Sequence, residues 1–247
     1  MVKYLDYTSP SLNYFFDVNN SNLMKKDNRN LINVLGIQQL NTLEDVSLLD
    51  IYLSKNNVIE PHYHQNAAEL VYCISGAATV SLLNPFTKQI QNYYITPGQV
   101  ANVPQGWWHY EVANTDGTHL LAIFNAPTPE VILGSDILKL TPSNVMAHTY
   151  CMDEKQWKKA VAPVQPSTFI GPRKDCSRNA HSPDPNQQYQ YTQQYPPSKC
   201  IFIRDFHGMD STMPVFLGLQ HVQAFHFYSN LDRRHNQTRK RATDKDR

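Results

Sequence analysis

The sequence predicts an all-β domain, a sandwich or closed barrel, set between an N-terminal arm and a polar C-terminal tail. Three observations carry this. Short runs of strand character follow one another between residues 46 and 125, turn-forming residues separate them at close intervals, and 41% hydrophobic content in 247 residues is enough for one core.

Residues 1–45 are polar and rich in Asn, with short apolar pieces at Leu12–Val18 and Leu31–Ile37, and precede the run of strands as an N-terminal arm. Strands are expected at Val46–Ser54, Glu69–Ser75, Ala78–Leu83, Ile90–Ile95, Gln99–Val103, His109–Asn114 and His119–Asn125. Between them stand Asn56-Asn57, Ser75-Gly76, Asn84-Pro85, Pro97-Gly98, Pro104-Gln105-Gly106 and Thr115-Asp116-Gly117, where hairpins and corners are needed. Thr141-Pro142-Ser143 then opens a helical segment through Met146, Tyr150 and Cys151, and Asp153–Lys159 starts another. In the second, acidic residues lead and lysines follow, as the helix dipole prefers. The expected organisation is an arm (1–45), a barrel with a helical coda (46–162) and a tail (163–247). No internal repeat argues for a second barrel. Past Val161 the chain is rich in proline and carries the tract Asn186–Tyr195, dominated by Gln and Tyr. Such a composition buries too little apolar surface to offset its ordering entropy, so the tail is expected to be mostly disordered.

Charge divides along the chain. Residues 1–162 carry 10 Lys+Arg against 14 Asp+Glu (−4), and residues 163–247 carry 12 against 7 (+5), which together give the net +1. Neither half is basic enough to argue for specific nucleic-acid binding, and Arg233-Arg234 and Arg239-Lys240-Arg241 read as a solvated basic end. The start has no basic segment followed by an apolar run, and no apolar stretch approaches the ~18 residues of a membrane span. A cytoplasmic protein is expected. Cys73, Cys151, Cys176 and Cys200 form no C-x-x-C pair and fit free thiols in a reducing compartment, with Cys73 a small core residue.

Chemistry concentrates at His62, His64, Glu69 and His109. A strand sends alternate side chains to one face, so His62 and His64 point the same way. A bare His-x-His is as readily a pair on a solvated strand face. With the carboxylate and the third imidazole added, the set suits manganese, iron, nickel, copper or zinc, whereas calcium and magnesium prefer oxygen alone.

The spacing His62-x-His64-x4-Glu69-x6-Gly76 resembles the first motif of the cupin superfamily, and Gly98-x5-Pro104-x-Gly106-x2-His109 resembles the second. The 21 residues Ala77–Pro97 separate them. Asn56 stands where the first motif usually opens with glycine, and the asparagine that usually closes the second falls one residue later, at Asn114. The order of barrel, loop and helical coda over about residues 30–162 resembles the germin-like and oxalate decarboxylase-like branch. The resemblance implies a jelly-roll barrel with the N-terminal arm packed outside it and both motifs facing one cavity, and His62, His64, Glu69 and His109 as ligands of one divalent metal. Manganese or iron is the first expectation, with nickel and zinc also found among relatives. It also implies a homo-oligomer and a small-molecule ligand or substrate in the cavity.

Ligand histidines need partners on their other nitrogen. Asn66, Gln105 and Asn114 are the candidates, and alternation places Trp107 on the ligand face, either as a wall of the pocket or as plain core packing. Oxalate decarboxylase-like members carry an arginine three positions before the first histidine and a glutamate on a lid loop. Here Ile59 takes the first position, and Glu130 is the candidate for the second, its other reading being a solvated loop charge. Oxalate is therefore a doubtful substrate. The function expected is a metal-dependent oxidoreductase or decarboxylase acting on a small organic molecule. A non-catalytic metal- or small-molecule-binding barrel is the alternative. A seed-storage or coat protein is third, because such proteins usually lose the ligands that this chain keeps.

Overall fold

Strict alternation shapes the sheets. Glu69–Ser75 and Thr118–Phe124 bury every second side chain, so each strand has one core face and one outer face. The computed structural model describes residues 5–176 and Pro183. In chain order the strands are β1 (Asn22–Lys25), β2 (Leu31–Leu35), β3 (Ser47–Leu53), β4 (Val58–Tyr63), β5 (Glu69–Ser75), β6 (Ala78–Asn84), β7 (Gln89–Ile95), β8 (Val100–Val103), β9 (His109–Ala113), β10 (Thr118–Phe124) and β11 (Ile132–Leu133). Helices α1 (Gly134–Leu140), α2 (Ser143–Tyr150) and α3 (Glu154–Val161) follow, and then β12 (Ile170–Gly171).

Two antiparallel sheets result. One runs β1-β2-β3-β10-β5-β8, the other β11-β4-β9-β6-β7, with β12 also paired to β4. Their inner faces share one core, in which Ile51, Leu53, Val71, Leu120 and Phe124 of the first sheet meet Val80, Leu82 and Ala113 of the second. Cys73 is fully buried in it. This is the all-β jelly roll expected from the sequence. Among the described residues no helix is long and apolar enough to cross a membrane.

Gly76 shows why the turn at the end of the first motif needs glycine. Its φ is +72°, and a Cβ there would lie 2.7 Å from the Thr118 Cα and 2.8 Å from the Thr115 Oγ1.

Two expected boundaries move. The arm does not lie outside the barrel along its whole length: β2 pairs with β3 residue by residue from Leu31↔Tyr52 to Leu35↔Leu48, and Ile32 is part of the core. Pairing with an established strand supplies the order that an Asn-rich stretch lacks by itself. Nor does the tail begin at residue 163. Ile170 is 1% exposed and pairs with Ile59, and Gly171 pairs with Val58, so the chain returns from α3 onto β4. The tract Asn186–Tyr195 and the basic end lie outside the described residues. A chain ending at Ala162 is therefore expected to melt well below one ending at Cys176. Losing Ile170 from the core costs about 3 kcal/mol, or roughly 6–12 °C at this size. Equal melting temperatures for the two truncations would contradict this docking.

Candidate metal centre

Pro61 sets the geometry of β4. Proline cannot donate to the ladder, and the pairing of β4 with β9 shifts between Ile59 and His62. Two residues three apart in a regular strand face opposite sides. Across this shift both Ile59 and His62 face the same cavity, while Glu60 is buried on the other side. His62 then pairs directly with His109 across the β4–β9 ladder. Glu69 enters from the facing sheet, at the first position of β5, and His64 follows the end of β4.

The four residues converge. One ligand atom from each of His62, His64, Glu69 and His109 lies within 4.8 Å of all the others. All four are buried, at 4%, 5%, 4% and 0% exposure. Glu69 Oε2 is 2.8 Å from His109 Nε2 and 3.3 Å from His64 Nε2. Each imidazole is held by its other nitrogen. His62 Nδ1 is 2.7 Å from the Glu60 carbonyl, His64 Nδ1 2.8 Å from the Glu130 carbonyl and His109 Nδ1 2.8 Å from the Trp107 carbonyl. A carbonyl oxygen can only accept, so Nδ1 carries the proton in all three rings and Nε2 is the nitrogen turned to the centre. His64 Nε2 is buried and makes no hydrogen bond. A buried, unsatisfied imidazole nitrogen beside two more imidazoles and a carboxylate is a donor set that fits a divalent transition metal.

Electrostatics without a cation are strained. Burial, reinforced by the positive charge of His109, lowers His62 to about 3. Burial also opposes charge on His109, but the hydrogen bond to Glu69 and the nearby carboxylates outweigh it and raise it to about 9. Glu69, which burial alone would raise, is held below its ordinary range by His109 and His64. Behind them sits Glu111, which sequence reading missed. It is 2% exposed and raised to about 8 by burial and by Glu69, against the opposing effect of His109. Its signal was available: it stands two residues after His109 on one strand, hence on the same face.

The residues expected to orient the ligands do so less directly. Asn66 donates to the Thr128 carbonyl (2.9 Å) and accepts from the Glu130 N–H (2.8 Å), fixing the loop whose carbonyl holds His64. Gln105 donates to the Gln65 carbonyl at 2.7 Å beside that same corner. Asn114 accepts from the Thr79 hydroxyl at 2.9 Å and touches no ligand. Trp107 supplies its carbonyl to His109, while its ring packs on the core and near Phe86. The histidines thus take backbone carbonyls rather than side-chain partners, because extended backbone puts a carbonyl two residues back within reach of His62 and His109. The Glu130 carboxylate accepts from the Gln65 amide at 3.0 Å at the surface, so this residue contributes its carbonyl.

A cavity of about 420 Å³ opens on His62, His64 and Glu69. Leu49, Ile51, Ile59, Val131, Leu133 and Phe169 are among its walls, and among the described residues no Lys or Arg lines it. Ile59 faces it where the resemblance places an arginine.

The family model described as Cupin matches residues 15–158. Germin-like protein subfamily 2 member 1 of Arabidopsis thaliana is 32% identical over 123 residues, which is 48% of this chain and 55% of that protein. Glutelin type-B 2 of Oryza sativa subsp. japonica is 27% identical over 117 residues, 46% of this chain and 24% of its own length. The chain therefore spans about a quarter to a half of these relatives. Among solved structures, oxalate decarboxylase from Bacillus subtilis superposes with a TM-score of 0.56 at 19% identity, over 63% of this chain and 40% of that one. Procruciferin, an 11S globulin from Brassica napus, does so with 0.57 at 18% identity, over 63% and 41%. At these identities the structural likeness speaks for the fold alone. With the family model spanning more than half of its residues, the chain belongs to the cupin family.

Proposed function

We propose that this cupin is a metal-dependent enzyme, an oxidoreductase or decarboxylase acting on a small, uncharged and largely apolar organic molecule. The observation that carries the reading is the largely apolar cavity that opens on His62, His64 and Glu69 and that no arginine or lysine of the described residues lines. A dianion such as oxalate would need a guanidinium or ammonium partner there, and none among the described residues lines it. His62, His64, Glu69 and His109 would hold the ion, with manganese or iron favoured. A solved relative in fold, oxalate decarboxylase from Bacillus subtilis, has Mn(II) centres. Such an ion supplies Lewis-acid and redox chemistry at a position left open by the protein. The chain's own part is to fix three Nε2 atoms through their Nδ1–H bonds and to keep water from the apolar walls. Accessible apolar residues on neighbouring strands, Tyr72 (37%), Ile74 (38%) and Val100 (49%), support assembly as a homo-oligomer.

A non-catalytic binding protein is the second reading, favoured by the outward-turned carboxylate of Glu130, which leaves the cavity without an acid or base among the described residues apart from the ligands. Elemental analysis of untagged protein decides first. Near-stoichiometric manganese or iron in the wild type, lost in the His62→Ala/His109→Ala variant, is expected; an empty wild type after reconstitution would remove the metal reading. Oxygen-uptake and carbon dioxide-release screens on uncharged substrates then separate enzyme from binding protein.

A further inference from the structure

Phe169 stands in a backbone conformation that its own side chain disfavours. Its φ is +55°, in the left-handed region that a bulky residue rarely enters. Ser167, two residues earlier, has the same φ, and the Ile170 N–H closes a three-residue turn on the Thr168 carbonyl at 2.6 Å. With a positive φ at its centre, such a turn is the rare and strained form. Strain of this kind persists only where the surroundings overdetermine it. Here they do. The Glu60 N–H donates to the Phe169 carbonyl at 2.9 Å, and the Phe169 N–H donates to Glu60 Oε1 at 2.8 Å, so one residue of β4 grips both backbone polar groups of Phe169. The Glu60 carboxylate is in turn fixed by the N–H and hydroxyl of Ser135, and the next residue, Ile170, is locked into the core at 1% exposure.

What the strained turn delivers is the Phe169 ring. It packs against the core and, together with Ile59, forms part of the wall of the cavity that opens on His62, His64 and Glu69. Phe169 comes from the chain returning after α3, past the matched residues 15–158, so the return adds this wall to the barrel. At about 420 Å³ the cavity stands toward the small end of ligand pockets, ~300–1,000 Å³. In so small a space one fixed wall decides which apolar bodies fit. A ring whose backbone is held on both sides yields little to a larger ligand, and it offers aromatic surface against which a ring of the ligand gains more than burial alone.

We infer that Phe169 is the specificity-determining residue of this cavity and Glu60 its positioning residue, and that together they select a compact, uncharged ligand built on a single ring. The inference rests on the reading of the cavity as the substrate site and names the substrate class for it.

The test uses the full chain with manganese(II) added and two uncharged probes, one-ring benzyl alcohol and the two-ring fluorophore prodan. Benzyl alcohol affinity is read by NMR titration and prodan affinity by fluorescence, beside melting temperature and metal content. We expect Phe169→Ala to bind prodan more tightly and benzyl alcohol more weakly, shifting the ratio of the two affinities by about tenfold or more, with Phe169→Leu in between. Glu60→Ala, which keeps the ring and releases its backbone, should shift the ratio in the same direction, and Glu60→Gln less. A Phe169 that only packs the returning chain would lower the melting temperature and leave the ratio unchanged. An unchanged ratio in folded Phe169→Ala and Phe169→Leu, or no binding of either probe to any form, overturns the inference. Metal content separates it from the reading it rests on. Manganese held with an unchanged ratio leaves the metal-dependent reading standing without Phe169, and a shifted ratio in a protein that takes up no manganese leaves selection by Phe169 standing without the metal.

Discussion

Stripped of metal, the protein is expected to be most stable between about pH 4.5 and 6.5 and to weaken on either side. The buried groups set the signs. His62, lowered to about 3 from 6.5, stays neutral in the fold while the unfolded chain takes a proton, so its contribution is lost as pH falls from 6.5. Glu69, held below its ordinary 4.5, adds to that loss below 4.5. Glu111, raised from 4.5 to about 8, works the other way: its contribution is complete below 4.5 and is lost as pH rises to 8. His109, raised from 6.5 to about 9, contributes fully below 6.5 and loses it on the way to 9. From 4.5 to 6.5 the slopes of His62 and Glu111 cancel. Above 6.5 those of Glu111 and His109 add, at roughly 3 kcal/mol per pH unit for two protons.

A divalent cation reverses the alkaline loss. Held by these residues, it would take the place of the proton on His109 Nε2 and compensate the buried carboxylate charge, so its stabilisation should grow as protons leave. Affinity should climb about tenfold per pH unit toward pH 9 for the proton displaced from His109, and more steeply below about pH 8, where Glu111 also holds a proton. Melting with and without a chelator at pH 5 and pH 8 reads this directly. A small metal-dependent shift at pH 5 and a much larger one at pH 8 are expected, with the metal-free protein weaker at pH 8. A metal-free protein equally stable at both, or a larger shift at pH 5, would contradict the arrangement of charges.

Local pattern carried most of this site. Glu69–Ser75 reads as a strand from alternation, and it is β5, residue for residue. The expected His119–Asn125 strand is offset from β10 by one residue at each end. Strand alternation put His62 and His64 on one face, the cupin-like motif spacing added Glu69 and His109, and one ligand atom from each of the four lies within 4.8 Å of the others. What the sequence hid was non-local. β2 is ordered by its pairing with β3, and β12 by its pairing with β4, across more than a hundred residues. α1 escaped notice because it is short and Leu133 gives it no side-chain cap. The orienting groups for the histidines were sought among side chains, whereas the fold uses the carbonyls of Glu60, Trp107 and Glu130, which leave no mark in composition. Glu111 obeys the same alternation as His109 and stood unread beside it.

Replacing Glu60 by alanine should cost about 4 kcal/mol and roughly 10 °C of melting temperature while leaving the metal in place. Its carboxylate is buried and accepts from the Ser135 N–H (2.9 Å), the Ser135 hydroxyl (3.0 Å) and the Phe169 N–H (2.8 Å). The first of these serves the unsatisfied N-terminus of α1, a task that Leu133 cannot perform. The third holds the returning chain, which the Glu60 N–H also grips through the Phe169 carbonyl at 2.9 Å. Alanine leaves a buried N–H, a partly buried N–H and a buried hydroxyl without their acceptor, each costing ~1–3 kcal/mol. His62, however, is oriented by the backbone carbonyl of Glu60, which the substitution keeps. Glu60→Ala should therefore lower the urea midpoint with metal stoichiometry near that of the wild type, whereas His62→Ala should do the reverse, and Glu60→Gln, retaining one acceptor oxygen, should fall between alanine and wild type in stability. Loss of metal in Glu60→Ala at a temperature where it is still folded would show that the side chain, and not only the backbone, positions His62. Because Phe169 is also a cavity wall, the same variant should bind apolar ligands more weakly than its metal content alone would indicate.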